Sequence, residues 1–207
     1  MIEGRNDVAM MLCIAAAAVA FDRGRGLWAD FFLGLAVAIK TLLLPALPFL
    51  LLAQKGDRVR RSALLLGPLL VTCLPFLVRD AGAFLDDVLL APAGLGTHPF
   101  EIRGWGGYGF ANLVLALGLV SSPKAWFPFS VFQAAAYGAV FWKGVRVLRD
   151  RPDWSRSLLW GVAGVFVVLY FGRFIHDNYI GALLSTAAIA LAVSETNPGA
   201  DNTPVQT

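Results

Sequence analysis

Cysteine and histidine are almost missing from this chain, with two of each in 207 residues. Cys13 and Cys73 each sit inside an apolar block, with no second cysteine or histidine at metal-ligand spacing. Neither a disulfide framework nor a metal site is therefore expected, and both read as small core residues. Charge is also scarce. Asp, Glu, Lys and Arg make up 15% of the chain against 57% hydrophobic residues, and the mean hydropathy is +0.67. An ordinary soluble domain carries about 25% charged and roughly 45–50% apolar residues. That deficit excludes a single soluble core. The formal charge of +3 is too small and too scattered to imply nucleic acid as a partner. A cleaved secretory signal is not expected either, because "MIEGRND" sets Glu3 and Asp7 against Arg5 where a basic flank is needed.

What the sequence does have is a succession of apolar blocks: 8–21, 27–53, 62–78, 108–120, 126–142, 158–172 and 179–193. Short charged connectors separate them, as in polytopic helical membrane proteins. The expected fold is all-α, with about five to seven membrane helices, some of them half-spans or re-entrant segments. A single membrane domain would run from 1 to 193. It would carry an external loop at 79–107 and end in a disordered polar tail at 194–207.

Charge placement sets the expected topology, since cytoplasmic connectors collect Lys and Arg. If 27–53 crossed once, "DRGRG" and "QKGDRVRR" would lie on opposite sides. A turn near Lys40, followed by Pro45 and Pro48, puts both on the cytoplasmic side. The block 108–120 covers only about 20 Å at 1.5 Å per residue, so it reads as re-entrant or interfacial. With these two choices, eleven of the seventeen Lys and Arg fall in three cytoplasmic connectors. The opposite face then collects "MIEGRND", the Lys40 turn, the 79–107 loop and "RFIHDN".

The candidate chemistry lies on that face, and each group also has a plainer reading. Asn6 and Asp7 precede a helix and read either as N-caps or as groups that orient a sugar hydroxyl, Asp7 also as a proton acceptor. Lys40 is a snorkelling lysine or, with Arg173 and His176, part of a cationic set for a phosphate. Asp86 and Asp87 are solvated loop carboxylates or acid/base groups. His98, in "THPFEIRGWGGYGF", packs a loop or lines a sugar site.

The order of four stretches, "EGRNDVAMMLCIAAAA", "RGRGLWADFFLGLAVAIKTLLLPALPFLLLA", "AGAFLDDVLLAPAGL" and "RFIHDNYIGALL", resembles the later half of bacterial GT-C glycosyltransferases. The likeness is to family 87 and the polyprenol-phosphate-mannose-dependent mannosyltransferases, and covers roughly residues 2 to 193. It rests on the G-x-N-D element at Gly4, Asn6 and Asp7, on Lys40 closing "GLAVAIK", and on the Asn178–Tyr179 turn. It implies a multi-pass enzyme of the bacterial plasma membrane with its active face extracytoplasmic. Such an enzyme transfers a sugar, mannose first, from a polyprenyl-phosphate carrier to a glycan or glycolipid acceptor, with inversion and without a nucleotide sugar. No cofactor is implied. Lys40, Arg173 and His176 would hold the donor phosphate; Asn6, Asp86, Asp87, His98, Asn178 and Tyr179 would contact sugar or acceptor. The acidic residue that serves as catalytic base in the family lies in its earlier half and has no counterpart here, which implies a longer protein or a second subunit. A transporter or flippase and a non-catalytic membrane subunit are the alternative expectations.

Overall fold

Proline, glycine and short polar clusters cut the chain into helices, several of which reverse direction at the break. The computed structural model describes residues 5–54, 56–104, 109–150 and 153–196, and of residues 5, 6, 103, 104, 177, 195 and 196 the backbone alone. It is mostly helical, in agreement with an all-α fold. Helix α1 (Arg5–Asp22) turns through Gly24, whose φ is +71°, into α2 (Gly26–Ile39). Lys40 is extended and ends α2. A 3-10 segment (Thr41–Ala46) and α3 (Leu47–Leu52) follow, with Pro45 and Pro48 near their junction. Then come α4 (Arg58–Leu85), a π-helical turn (Asp86–Leu90), α5 (Ala91–Ala93), α6 (Phe110–Ala116), α7 (Phe129–Asp150), α8 (Trp154–Tyr170) and α9 (Asp177–Thr196). Two-residue strands β1 (Arg103–Gly104) and β2 (Phe174–Ile175) pair in parallel.

Side-chain contacts fix the direction of each helix. Asp30 and Gly26 of α2 both meet Arg61 near the start of α4, and Gly34 further along α2 meets the Leu64 and Leu65 carbonyls. The two helices are parallel, so the intervening 41–52 segment returns between them. Phe21, near the end of α1, stacks on Trp154 at the start of α8 with ring centroids 4.8 Å apart. The α1–α2 turn, the start of α4 and the α7–α8 junction therefore share one end, which carries Arg23, Arg25, Arg58, Arg60, Arg61 and Arg149. The start of α1, Lys40 and the α8–α9 turn share the other.

The core lies between α1, α2, the returning segment, α8 and α9, around Ile14, Val37, Leu47 and Val165. Glycines permit its closest approaches. A Cβ on Gly34 would lie 2.5 Å from the Leu65 carbonyl oxygen, and one on Gly144 would lie 2.5 Å from the Phe49 ring. A smaller cluster of Ile102, Ala111, Val114 and Phe129 caps the far end.

Three boundaries differ from expectation. The 79–107 segment begins as helix, because α4 runs on to Leu85 and the π turn and α5 follow without a break. Asp80 has non-helical dihedrals (φ −159°, ψ 89°), and its carboxylate accepts the Ala83 N–H at 2.9 Å, so it caps a new helix after a kink. The basic connector expected at 143–156 is largely helical. Lys143, Arg146 and Arg149 ride on the last turns of α7, where cations suit the helix dipole. At the end of the chain, α9 continues through Ser194 to Thr196, and the rest of the expected tail, 197–207, lies outside the described residues. Among the described residues, the stretch Arg58–Ala93 is long and apolar enough to cross a membrane. Gly26–Ile39, Thr41–Leu52, Trp154–Tyr170 and Asn178–Ser194 are shorter apolar helices.

Gly34→Ala is expected to destabilise the fold by about 1–3 kcal/mol, because it forces α2 off the α4 backbone. Gly67→Ala, where a Cβ would meet nothing within 4 Å, should be neutral or stabilising by up to about 1 kcal/mol. Thermal unfolding of the two purified variants checks the contrast.

Candidate functional site

Three helix ends meet opposite the basic end. Asp7 lies in the first turn of α1, Lys40 at the break after α2, and Asn178 and Tyr179 in the first turn of α9. The Lys40 ammonium pairs with Asp7 Oδ1, and the Asn178 side-chain amide donates to Asp7 Oδ2 at 2.6 Å. Lys40 Nζ also sits 4.5 Å from the centre of the Tyr179 ring, within cation–π range. The His176 ring meets the edge of Tyr179 with centroids 5.2 Å apart, and the Tyr179 N–H bonds back to the His176 carbonyl at 3.1 Å.

The local sequence accounts for this convergence. Lys40 leaves the helical region just as α2 ends, so its side chain projects from the end of that helix toward its antiparallel neighbour α1. With side chains only 20% and 15% exposed, Lys40 and Asp7 are shielded from water on most sides. Removing one partner of an ion pair in that setting costs more than at the surface, because it leaves a shielded charge uncompensated. Both Asp7 oxygens are taken by side chains from other elements, so Asp7 ties α1 to α2 and α9.

Arg173 is placed differently. Among the described residues it is the largest fully buried side chain, 1% exposed. Its Nε donates to the Phe100 carbonyl at 2.9 Å, and Nη2 donates to the Ala125 carbonyl at 3.3 Å. A Cβ on Gly94 would overlap its guanidinium, so glycine is required there, and φ of +80° adds to that requirement. Nη1 is buried without a hydrogen-bond partner. Burial pulls the Arg173 pKa below its ordinary value, but a guanidinium stays cationic. In this arrangement Arg173 fastens Phe100 and Ala125 to the α8–α9 turn.

The other predicted groups are spread out. Asp86, in the π turn, accepts the Thr97 N–H at 3.1 Å and the Thr97 hydroxyl at 2.6 Å, and so closes the loop that follows. Asp87 and His98 are exposed. Gly4 and the Asn6 side chain lie outside the described residues. Among the described residues, no three His, Cys, Asp or Glu side chains are grouped to hold a metal ion.

One buried pair escaped the sequence reading. Asp30, 3% exposed, takes both Nε (2.6 Å) and Nη2 (3.1 Å) of Arg61 at the basic end. The signal was available, since Asp30 is the sole acidic residue in the apolar block 27–53. Gln133 and Tyr137 of α7 were also missed. Gln133 Nε2 donates to the Val168 carbonyl at 2.7 Å, and the Tyr137 hydroxyl donates to the Pro45 carbonyl at 2.7 Å.

No protein-family model matches the chain, and no curated protein or solved structure shows significant similarity to it.

Replacing Asp7 by Ala should cost about 1–3 kcal/mol, because the part-buried ammonium loses its counter-charge. Replacing Asn178 by Ala should cost about 1 kcal/mol, the worth of one hydrogen bond. A double-mutant cycle on Asp7→Asn and Lys40→Met, read by denaturant unfolding, should give a coupling above about 0.5 kcal/mol. Additive effects would remove the pair from the fold's energetics.

Proposed function

We propose that the chain is a polytopic helical membrane protein that forms the donor-phosphate end of a glycosyltransferase. It serves transfer of a sugar, mannose first, from a polyprenyl-phosphate carrier to an extracytoplasmic glycan or glycolipid acceptor. One observation carries this reading: Asp7, Lys40 and Asn178–Tyr179, far apart in sequence, meet in one cluster at the end opposite the basic connectors. These are three of the elements on which the glycosyltransferase resemblance rests.

The bilayer part has separate support. Almost none of the apolar stretch in Arg58–Ala93 is buried inside the protein, and Leu70, Val71, Leu74, Phe76 and Val78 are all exposed. In water such a face would be a large unmet apolar surface; in lipid it is the ordinary case. Arginines gathered at one end follow the positive-inside pattern and make that end cytoplasmic. Helix α2 spans about 21 Å from that end at 1.5 Å per residue, which carries Lys40 toward the opposite boundary.

The chemistry follows from the pair. A lipid-linked phosphate offers Lys40 a second anion, and the ammonium shifts from Asp7 toward it. The acceptor oxygen bonds to the sugar's anomeric carbon as the bond from that carbon to the phosphate oxygen breaks. The electron pair stays on the departing polyprenyl phosphate, where Lys40 stabilises the charge. The acceptor's proton goes to a carboxylate. Asp7, freed by Lys40 and held by Asn178, is the candidate within this chain. Arg173 acts here as a positioning residue, holding Phe100 and Ala125 to the α8–α9 turn, and His176 orients Tyr179.

The helix interruption at Lys40 also suits a solute path, as in transporters with broken helices. Placement of the pair at helix ends rather than mid-helix favours transfer at a surface.

Lys40→Ala, assayed in native membranes with a polyprenyl-phosphate sugar donor, is expected to lose at least about 100-fold in turnover while still inserting. Lys40→Arg should retain part of the rate. Unchanged turnover in Lys40→Ala rules out the phosphate role, and solute flux without sugar transfer favours the transporter.

A further inference from the structure

Helix α1 is flanked by two apolar troughs in the half nearer the basic end. One, of about 490 Å³, runs between α1 and α2 over Leu12, Ala16 and Phe32, and ends at Trp28, Arg23 and Arg25. The other, of about 420 Å³, runs between α1 and α9 past Ile189 and Val193, and ends at Asp22 and Arg23. Ala15 and Val19 border both. The small residues on this face of α1 give the troughs their depth, and the bulkier walls come from the neighbouring helices.

The mouths are cationic. Arg23 and Arg25 are exposed in the α1–α2 turn, and among the described residues neither forms an ion pair. Trp28 is 57% exposed beside them, at the level where tryptophan settles between headgroups and acyl chains. Set against Asp22, the two arginines leave an excess of positive charge where both troughs end.

Two apolar channels on either side of one helix, converging on one cationic mouth, match a molecule with two hydrocarbon chains and one anionic head. We infer that a single anionic glycerophospholipid of the cytoplasmic leaflet straddles α1. One acyl chain lies in each trough, and the phosphate sits at Arg23 and Arg25. A second copy of this chain fits less well. A two-fold interface through α1 in one membrane would bring Arg23 and Arg25 of both copies together, and like charges facing each other oppose assembly. The inference rests on the bilayer reading above and is independent of the glycosyltransferase assignment.

The full chain, reconstituted in nanodiscs of phosphatidylcholine with and without phosphatidylglycerol, provides the test by native mass spectrometry of the lipid retained on release. One phosphatidylglycerol per chain should be retained, with a preference over phosphatidylcholine of about tenfold or more from two arginines at the headgroup level. Arg23→Gln with Arg25→Gln should abolish that preference with helicity unchanged by circular dichroism. Ala16→Phe, which fills one trough and leaves the mouth intact, should weaken retention of both lipids. Equal retention of the two lipids by the unaltered chain overturns the inference, as does a preference that survives loss of both arginines. Efficient disulfide dimers through Ala16→Cys, in a Cys13→Ser, Cys73→Ser background, would assign the troughs to a second copy and overturn it too. A chain released from membranes by alkaline carbonate overturns the bilayer reading along with it. A chain that stays inserted without lipid preference overturns this inference alone.

Discussion

The ammonium of Lys40 has to be neutralised where α2 stops, and the Asp7 carboxylate does this from the first turn of α1. That requirement governs the arrangement around it. It fixes the depth at which α1 and α2 lie side by side, and through Asn178 it sets the height at which α9 begins. The Tyr179 ring, braced by His176, closes a further side of the ammonium. A helix break, a charge and an antiparallel neighbour are thus parts of one solution. A second pair, Asp30 with Arg61, does the corresponding work near the other end by holding α2 to α4.

Between these pairs the bundle relies on close approach more than on bulk. Gly34 lets α2 touch the α4 backbone, while Gly144 and Gly164 admit the Phe49 ring. Packing of this kind, with small residues and little oil to exclude, is what helices use when the surroundings are as apolar as their own side chains. The wide exposure of α4 beyond Leu65 suits the bilayer proposed above.

Much of the architecture was legible because charge and proline have few places to go in an apolar chain. Counting arginines on either side of 27–53 demanded a reversal, and Lys40 with Pro45 and Pro48 located it. The Asn-Asp and Asn-Tyr pairs pointed to helix starts. The helical run from 79 to 93 was harder to see, since Asp80 breaks one helix and caps the next, and composition registers only the break. The basic tail of α7 was read as a connector because its charges hide a helix that continues to Asp150. The anchoring role of Arg173 was hidden for another reason. Its partners are the carbonyls of Phe100 and Ala125, groups every residue carries, and only the fold reveals that they converge. Asp30 was visible as an isolated acid, but its partner lies beyond a turn, in a connector whose arginines all look alike.

The returning segment Thr41–Leu52 has a consequence for the order of assembly. Its partners are late in the chain: Ala46 lies against Gly161, Phe49 against Gly144 and Gly164, and the Pro45 carbonyl takes the Tyr137 hydroxyl. Until α7 and α8 have been synthesised, those contacts do not exist, and neither Thr41–Leu52 nor α2 is long enough to span a bilayer alone. The returning segment therefore settles only after the C-terminal half has emerged, so the stretch that follows Lys40 leaves the ribosome well before its packing surface exists.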